Sequence, residues 1–229
     1  MALDGITTSA IVSELKAALL GGRIDKIHQP LADEIRMSIR GLGSGAKKII
    51  ISANSAHPRI HLTESSRENP MTAPLFCMVM RKHLAGGKII DIVQPNFERI
   101  IILRIESSNE MGDITTKNLI LEIMGKHSNI IFCDKDRQII DSIKHVSGQM
   151  SSIREVLPGR PYFIPAQQDR FDPWQITKEQ FVEQILKKPC SVAKAIYTTL
   201  VGFSPIIATE LAYRSGLDAD ASTAALTQA

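Results

Sequence analysis

The chain has 229 residues, 44% of them hydrophobic and 22% charged, with a formal net charge of +3. That length can bury a sizeable core, as one large domain or as a medium domain with a small partner, and the balance is that of an ordinary soluble protein. A mildly basic excess permits nucleic-acid binding without requiring it, and no run of about 18 apolar residues is present that could span a membrane.

In "MALDGITTSAIVSELKAAL", Asp4, Glu14 and Lys16 interrupt the apolar pattern and no basic stretch precedes it. This argues against a signal peptide and makes a cytoplasmic protein the expectation. Thr7 or Thr8 is expected to cap a first helix with Ile11, Val12, Leu15, Ala18 and Leu19 at helical spacing, stopped by Gly21-Gly22. Three or four strand-like segments follow, "GRIDKIHQP", "EIRMSIRG", "KKIIISAN" and, with a weaker pattern, "RIHLT"; turn-forming stretches separate the first three. "GLGSGAKK" has the glycines of a phosphate loop, but it lacks the G-K-[ST] ending and leads into a strand, so it reads as a hairpin. His57 and His61 would lie roughly 13 Å apart on an extended chain, too far to share a metal ion, so no metal site is expected.

"TAPLFCMVMRKHLAGG" reads as a second helix, with Thr72 as N-cap, Pro74 in the first turn and Arg81-Lys82-His83 complementing its C-terminal end. A second strand series runs through "KIIDIVQP", "RIIILRIES", "NLILEIM", "NIIFCD" and "QIIDSIKHV". The repeated order of helix then strands predicts an α+β fold: a two-sheet antiparallel β-sandwich, or a partly closed barrel, with flanking helices. "REVLPGRPYFIPAQQDRFDPW" reads as a proline-rich connector, with the domain boundary placing residues 1–173 in the sandwich and 174–229 in a small all-α domain. There "VGFS" joins two short helices in the manner of a helix-hairpin-helix, and the tail "DADASTAALTQA" is expected to fray. Cys77, Cys133 and Cys190 lie more than fifty residues apart without a C-x-x-C pair, and read as reduced core thiols.

No nucleophile elbow, triad or paired-acid motif is visible, so no catalytic residue is assigned and no enzyme or cofactor is expected. Glu98, Glu106 and Glu122 read as solvated strand-face residues. "MGKHSN" suits a hairpin turn through Gly125, Ser128 and Asn129; its functional alternative is a donor cluster of Lys126, His127, Ser128 and Asn129 for phosphate oxygens or a ribose hydroxyl.

Taken in order, "DGITTSAIVSEL", "GGRIDKIHQP", "HPRIHLT", "FCMVMRKHLAGGKI", "ERIIIL", "LILEIMGKHSNIIF", "SIREVLPGRPY" and "GFSPIIATELAYR" resemble the N-terminal region of the NFACT family, the RqcH-type, FbpA-like and NEMF-type factors. The resemblance implies a non-catalytic, RNA-binding part of a ribosome quality-control factor. Its partners would be tRNA, alanyl-tRNA in bacteria, and the large ribosomal subunit holding a stalled peptidyl-tRNA, for template-free C-terminal tailing. It also implies a fold similar to the N-terminal domain of formamidopyrimidine-DNA glycosylase, followed by a helix-hairpin-helix.

By the same resemblance, Glu98 and Arg99 match an acidic-Arg pair linked to tRNA binding, with glutamate where aspartate is usual. Lys126, His127, Ser128 and Asn129 match the family's "MG-[KR]-x-SN" segment, and Arg81 and Lys82 its basic helix end. Gly202 and Ser204 match the hairpin, where a phosphate contact is expected; Ser204 stands where many such units have a second glycine, and a packing module is the alternative. The glycosylases' N-terminal proline nucleophile and its glutamate are not matched by "MALDG". Family members continue into a coiled coil and a C-terminal domain beyond the point matching Ala229, so a fragment is expected. A fibronectin-binding surface adhesin and a glycosylase-like nucleic-acid enzyme are the competing readings.

Overall fold

A computed structural model describes residues 3–41, 43, 45–108, 111–165 and 170–228. The chain divides into two compact units, one of Thr8–Pro95 and Arg99–Pro165 with the extreme N-terminus, the other of Asp4–Thr7, Asn96–Glu98 and Ala166–Ala229.

The first unit holds most of α1 (Gly5–Leu19), then β1 (Arg23–Leu31), β2 (Glu34–Arg40), β3 (Lys47–Ser52), β4 (Arg59–Leu62), α2 (Leu75–Leu84), β5 (Lys88–Val93), β6 (Ile100–Ser108), β7 (Ile114–Glu122), β8 (Asn129–Cys133) and β9 (Ile139–Ser142). The expected two sheets are one: nine strands in the order β4-β3-β2-β1-β5-β6-β7-β8-β9. The junction is the pair Arg23↔Lys88, where the Ile24 amide donates to the Gly87 carbonyl and the Gly86 amide to the Ile24 carbonyl, each at 2.8 Å. Glycine is required at 87, because a Cβ there would stand 2.8 Å from the Ile105 side chain and 3.0 Å from the Leu84 carbonyl. Local periodicity marks two strand series but carries no information about this seam.

The sheet curls back on itself. Lys144, just past β9, donates through Nζ to the carbonyl of Ala53, just past β3, at 2.5 Å. Those strands are seven places apart in the order, about 33 Å in a flat sheet at ~4.7 Å per step. The enclosed face carries one continuous core, with Leu15 and Leu19 of α1 and Met80 and Leu84 of α2 packed among Ile35, Met37, Ile51, Leu103, Leu121 and Phe132.

Strands β6 to β9 bury their other face too. Ile100, Ile102, Ile120, Ile131 and Ile139 pack there with Val156 and Tyr162 from the segment expected to be a bare connector. Burial on both faces accounts for the uninterrupted apolar runs of these strands. The segment is held by the bridges Val146↔Val156 and Gln138↔Pro161 and by amide bonds such as Ile139 N to Arg160 O at 2.9 Å.

Two helix starts differ from expectation. Asp4, rather than Thr7 or Thr8, caps α1, its Oδ1 accepting from the Thr7 amide at 2.8 Å, and Thr8 is buried. Helix α2 begins at Leu75 behind Pro74, with no side-chain cap, so Thr72 lies outside it.

In the second unit Thr177 and Gln180 form a capping box for α3 (Lys178–Phe181), which runs into a π turn at Val182–Leu186. Helices α4 (Val192–Thr199) and α5 (Pro205–Arg214) pack through Val192, Ala195, Ile196, Ala208 and Ala212. The tail expected to fray forms a 3₁₀ turn over Thr223–Gln228, anchored by the buried Thr223 hydroxyl, which donates to the Lys188 carbonyl and, at 3.2 Å, to that of Cys190. Among the described residues, no helix is long and apolar enough to cross a membrane.

Candidate functional site

Antiparallel pairing brings the start of β6, the end of β7 and the start of β8 to one end of the sheet, with Ile100 opposite Glu122 and Glu122 opposite Asn129. Arg99 stands at this end, its carbonyl accepting from the Ile123 amide at 2.9 Å. Lys126 and His127 project from the 3₁₀ turn Gly125–His127 between β7 and β8, both exposed. Topology therefore gathers Arg99, Lys126 and His127, which are up to 28 positions apart in the chain. Arg99 is half-buried, and its guanidinium has no hydrogen-bond or ion-pair partner among the described residues.

The turn leading into this arginine is strained. Asn96 and Phe97 sit at φ 47° and 57°, a left-handed conformation that costs non-glycine residues energy and persists only where packing holds it. Phe97 is buried, meeting Trp174 edge-on at 5.9 Å and Phe203 at 6.0 Å. Glu98 is also buried, not solvated as its strand-end position suggested.

The other half of "MGKHSN" turns inward. Ser128 is fully buried and its Oγ accepts from the Met124 amide at 2.8 Å. Asn129 accepts through Oδ1 from the amides of Ile130 (2.9 Å) and Lys144 (3.1 Å) and donates through Nδ2 to the Lys144 carbonyl at 2.8 Å. Both side chains are spent on fixing the turn and the end of β9, which leaves Lys126 and His127 as the outward donors.

Beneath them lies a cleft of about 440 Å³ lined by Met124, Lys126, His127, Met150, Ile153 and Arg154 among others. Its floor is a buried ionic group absent from the expected residues. Arg154 donates through one nitrogen to both carboxylate oxygens of Glu122 at 2.5 Å, and through another to the Phe163 carbonyl at 2.5 Å. Tyr162 donates to Glu122 Oε1 at 2.9 Å, and the guanidinium lies 5.2 Å over its ring. Burial raises the Tyr162 pKa, and the Glu122 charge adds to that. Burial opposes the Arg154 charge, but the Glu122 carboxylate outweighs it and raises the Arg154 pKa. Glu122 interrupts the apolar run "LILEIM" and its partner is 32 positions away, so the one available signal was the arginine of "SIREVLPGRPY".

Other expected residues lie elsewhere. Arg81 donates through Nε to the Ile27 carbonyl at 2.8 Å and sits 3.3 Å from His28 Nδ1, so it is tied to β1; Lys82 is exposed beside it. Gly202, at φ 75°, meets Gly5 and Phe97 so closely that a Cβ would stand 2.4 Å from the Phe97 carbonyl. Ser204 caps α5, accepting from the Ile207 amide at 3.3 Å and donating to Asp4 Oδ2 at 2.7 Å. Among the described residues no group of three His, Cys, Asp or Glu could hold a metal ion. Cys77 and Cys133 are buried thiols, and burial, with the Asp134 and Glu122 charges, pushes Cys133 up to about 12.

These features define an α+β protein of one large antiparallel sheet with a few helices and a basic sheet end set over a buried ion pair. The chain belongs to the family described as NFACT N-terminal and middle domains, matched over residues 4–229. It is 40% identical to the Rqc2 homolog RqcH of Bacillus subtilis over 95% of its own length and 38% of that protein's. It is 27% identical to the archaeal Rqc2 homolog aRqcH of Methanocaldococcus jannaschii, over 94% of this chain and 31% of that protein. The chain thus spans about two fifths of the bacterial RqcH proteins it matches. Among solved structures, the N-terminal domain of fibronectin-binding protein PavA from Streptococcus pneumoniae superposes with a TM-score of 0.84 at 37% identity, covering 93% of this chain and 79% of that one. The N-terminal part of the fibronectin/fibrinogen-binding protein from Streptococcus suis gives 0.85 at 36% identity, covering 99% and 84%.

Proposed function

We propose that this chain is the non-catalytic, RNA-contacting N-terminal part of a cytoplasmic ribosome quality-control factor, and that it holds tRNA at the sheet end formed by Arg99, Lys126 and His127. In that reading the whole factor binds the large ribosomal subunit with a stalled peptidyl-tRNA and recruits tRNA, alanyl-tRNA in bacteria, for template-free tailing. The supporting observation is the Arg99 guanidinium: half-buried, unpartnered among the described residues and presented after a strained turn. A planar fork held in that way suits phosphate or a base edge, which lysine cannot copy. The relatives named Rqc2 homolog RqcH, together with the ribosome quality control complex subunit NEMF of Mus musculus, support the assignment to quality control. The buried Glu98 would set the path of the backbone into Arg99.

The likeness to a glycosylase N-terminal domain, and the reading of α4 and α5 as a helix-hairpin-helix, belong to the same proposal. Since the Ser204 hydroxyl is engaged by Asp4, a phosphate contact there would fall to backbone amides.

Arg99→Ala should leave thermal unfolding nearly unchanged and weaken tRNA binding by about 1 to 3 kcal/mol. Filter binding of tRNA to the parent and variant decides this, and equal affinities with equal melting would remove the assignment. The names of the solved relatives favour a second reading, binding of fibronectin. Saturable fibronectin binding that Arg99→Ala leaves intact, with no tRNA retained by the parent, would select it.

A further inference from the structure

The stretch "GLGSGAKK", of which Leu42 and Ser44 lie outside the described residues, leads into β3 and brings Lys48 to a second concave surface. On the outer face of β1 to β3, the register puts Lys26 opposite Ser38 and Ser38 opposite Lys48, a row across three strands. His28 lies opposite Arg36 one step along. The segment after β4 is laid over this face: Arg36 donates to the Ser65 carbonyl at 3.0 Å, and the Thr63 amide donates to the Lys48 carbonyl at 2.9 Å. Together they enclose an open cleft of about 400 Å³, into which Arg67 also faces.

The charges in this cleft do not cancel. Arg36 is matched by Glu34 at 2.8 Å, and Asp25, the one acid in the lining among the described residues, is paired with Arg40. The side chains of Lys26, Lys48 and Arg67 have no partner among the described residues. Lys26 and Lys48 flank Ser38 on one face, and a concave face with unopposed cations focuses positive potential. Burial, then Arg81 and Lys26, lower the His28 pKa, as a positive surrounding requires. The remaining lining mixes hydroxyl and amide side chains, Ser38, Thr63, Ser65, Ser66 and Asn69, with apolar Met37, Ala46 and Ile49.

From this we infer that the β1–β3 cleft is a second RNA contact, in which Lys26, Lys48 and Arg67 take successive backbone phosphates while the hydroxyls fix their oxygens. The row spans strands two places apart, roughly 10 Å, and Arg67 extends it from the covering segment. A string of phosphates reaches both ends. Such a contact reads charge and not sequence. The inference rests on the proposed RNA-binding role and adds a site to it.

The test is a salt titration of the parent chain, Lys26→Ala/Lys48→Ala, Lys26→Arg/Lys48→Arg and Arg99→Ala, with two probes: tRNA and a mixed-sequence RNA duplex. Both lysines are exposed, and thermal unfolding of each variant checks that it folds. The alanine pair should reduce the logarithmic salt slope on both probes by about 0.7 to 0.9 per phosphate released, and the arginine pair should restore it. Arg99→Ala should leave the duplex slope unchanged. An unchanged slope in the alanine pair overturns the cleft while leaving the Arg99 reading standing. An inert Arg99→Ala beside a reduced slope in the alanine pair does the reverse. Lysine-dependent binding of pyrophosphate or polyglutamate without binding of either RNA also overturns it, assigning the cleft to a small phosphate or an acidic peptide.

Discussion

Lys117 in β7 is a buried ammonium whose side-chain partners are hydroxyls, Ser107 Oγ at 2.9 Å and Thr115 Oγ1 at 3.3 Å. Burial lowers its pKa, so the folded state holds a charge that the unfolded chain carries more cheaply in water. Folding stability should therefore rise as pH climbs from the lowered folded pKa towards the ordinary lysine value of about 10.4, where the ammonium is lost in both states. Lys117→Met should melt higher than the parent at pH 7, with the gap narrowing towards pH 10. A variant that melts lower at pH 7 would show that the two hydroxyl bonds outweigh desolvation. Polar residues at strand positions were the least legible part of the sequence for the same reason. Glu122 and Asn129 look alike in sequence to solvated or donor residues, and partners 15 to 32 positions distant show that they are buried and satisfied.

At the scale of elements, the segment from Val146 to Pro165 is a strap more than a linker. Its apolar residues Val156 and Tyr162 seal the second face of β6 to β9, and Arg154 pins it to β7. Removing one partner of a buried pair leaves the other charge uncompensated, so Arg154→Ala should cost about 3 to 5 kcal/mol. Hydrogen exchange should quicken first at the Val146, Val156 and Ile139 amides, whose bonds depend on the strap. A loss under about 1 kcal/mol, within the usual range for exposed pairs, would mean that water reaches Glu122. Strands, and the two helices of the first unit, were legible because apolar periodicity and turn residues are local properties. The strap was not, since prolines and bends describe a packed irregular segment as well as a free one.

For the whole molecule, the decisive feature is closure of one sheet. Lys144 Nζ bonds the carbonyls of Ala53 at 2.5 Å and Ser128 at 2.9 Å, tying the β3 end to the β8–β9 end. Lys144→Met keeps the stem and removes both charge-assisted bonds, worth about 1.5 to 3 kcal/mol each to break. We expect lower stability and faster exchange near Ala53 and Ser128, with strand content in circular dichroism retained. Unchanged exchange at both sites would show that apolar packing alone sets the curl. A two-sheet sandwich and this single curled sheet share the same strands and alternation. They differ in the seam between β1 and β5, written in backbone bonds around Gly86 and Gly87 that no side-chain pattern encodes.

Nine strands in one open sheet would ordinarily offer two long ribbons of unpaired amides to any passing extended chain. Here β4 and β9, the margins, are four residues each against nine in β6 and β7, and β9 is further covered by backbone bonds from Gly159 and Arg160. The other margin, β4, begins with Arg59, whose guanidinium lies 3.5 Å from Glu34. Short, covered or charged margins are how sheets avoid recruiting one another. The strap is thus also a guard against self-association: a molecule whose strap has come loose exposes β9 and becomes a template for aggregation before the rest of the fold is lost.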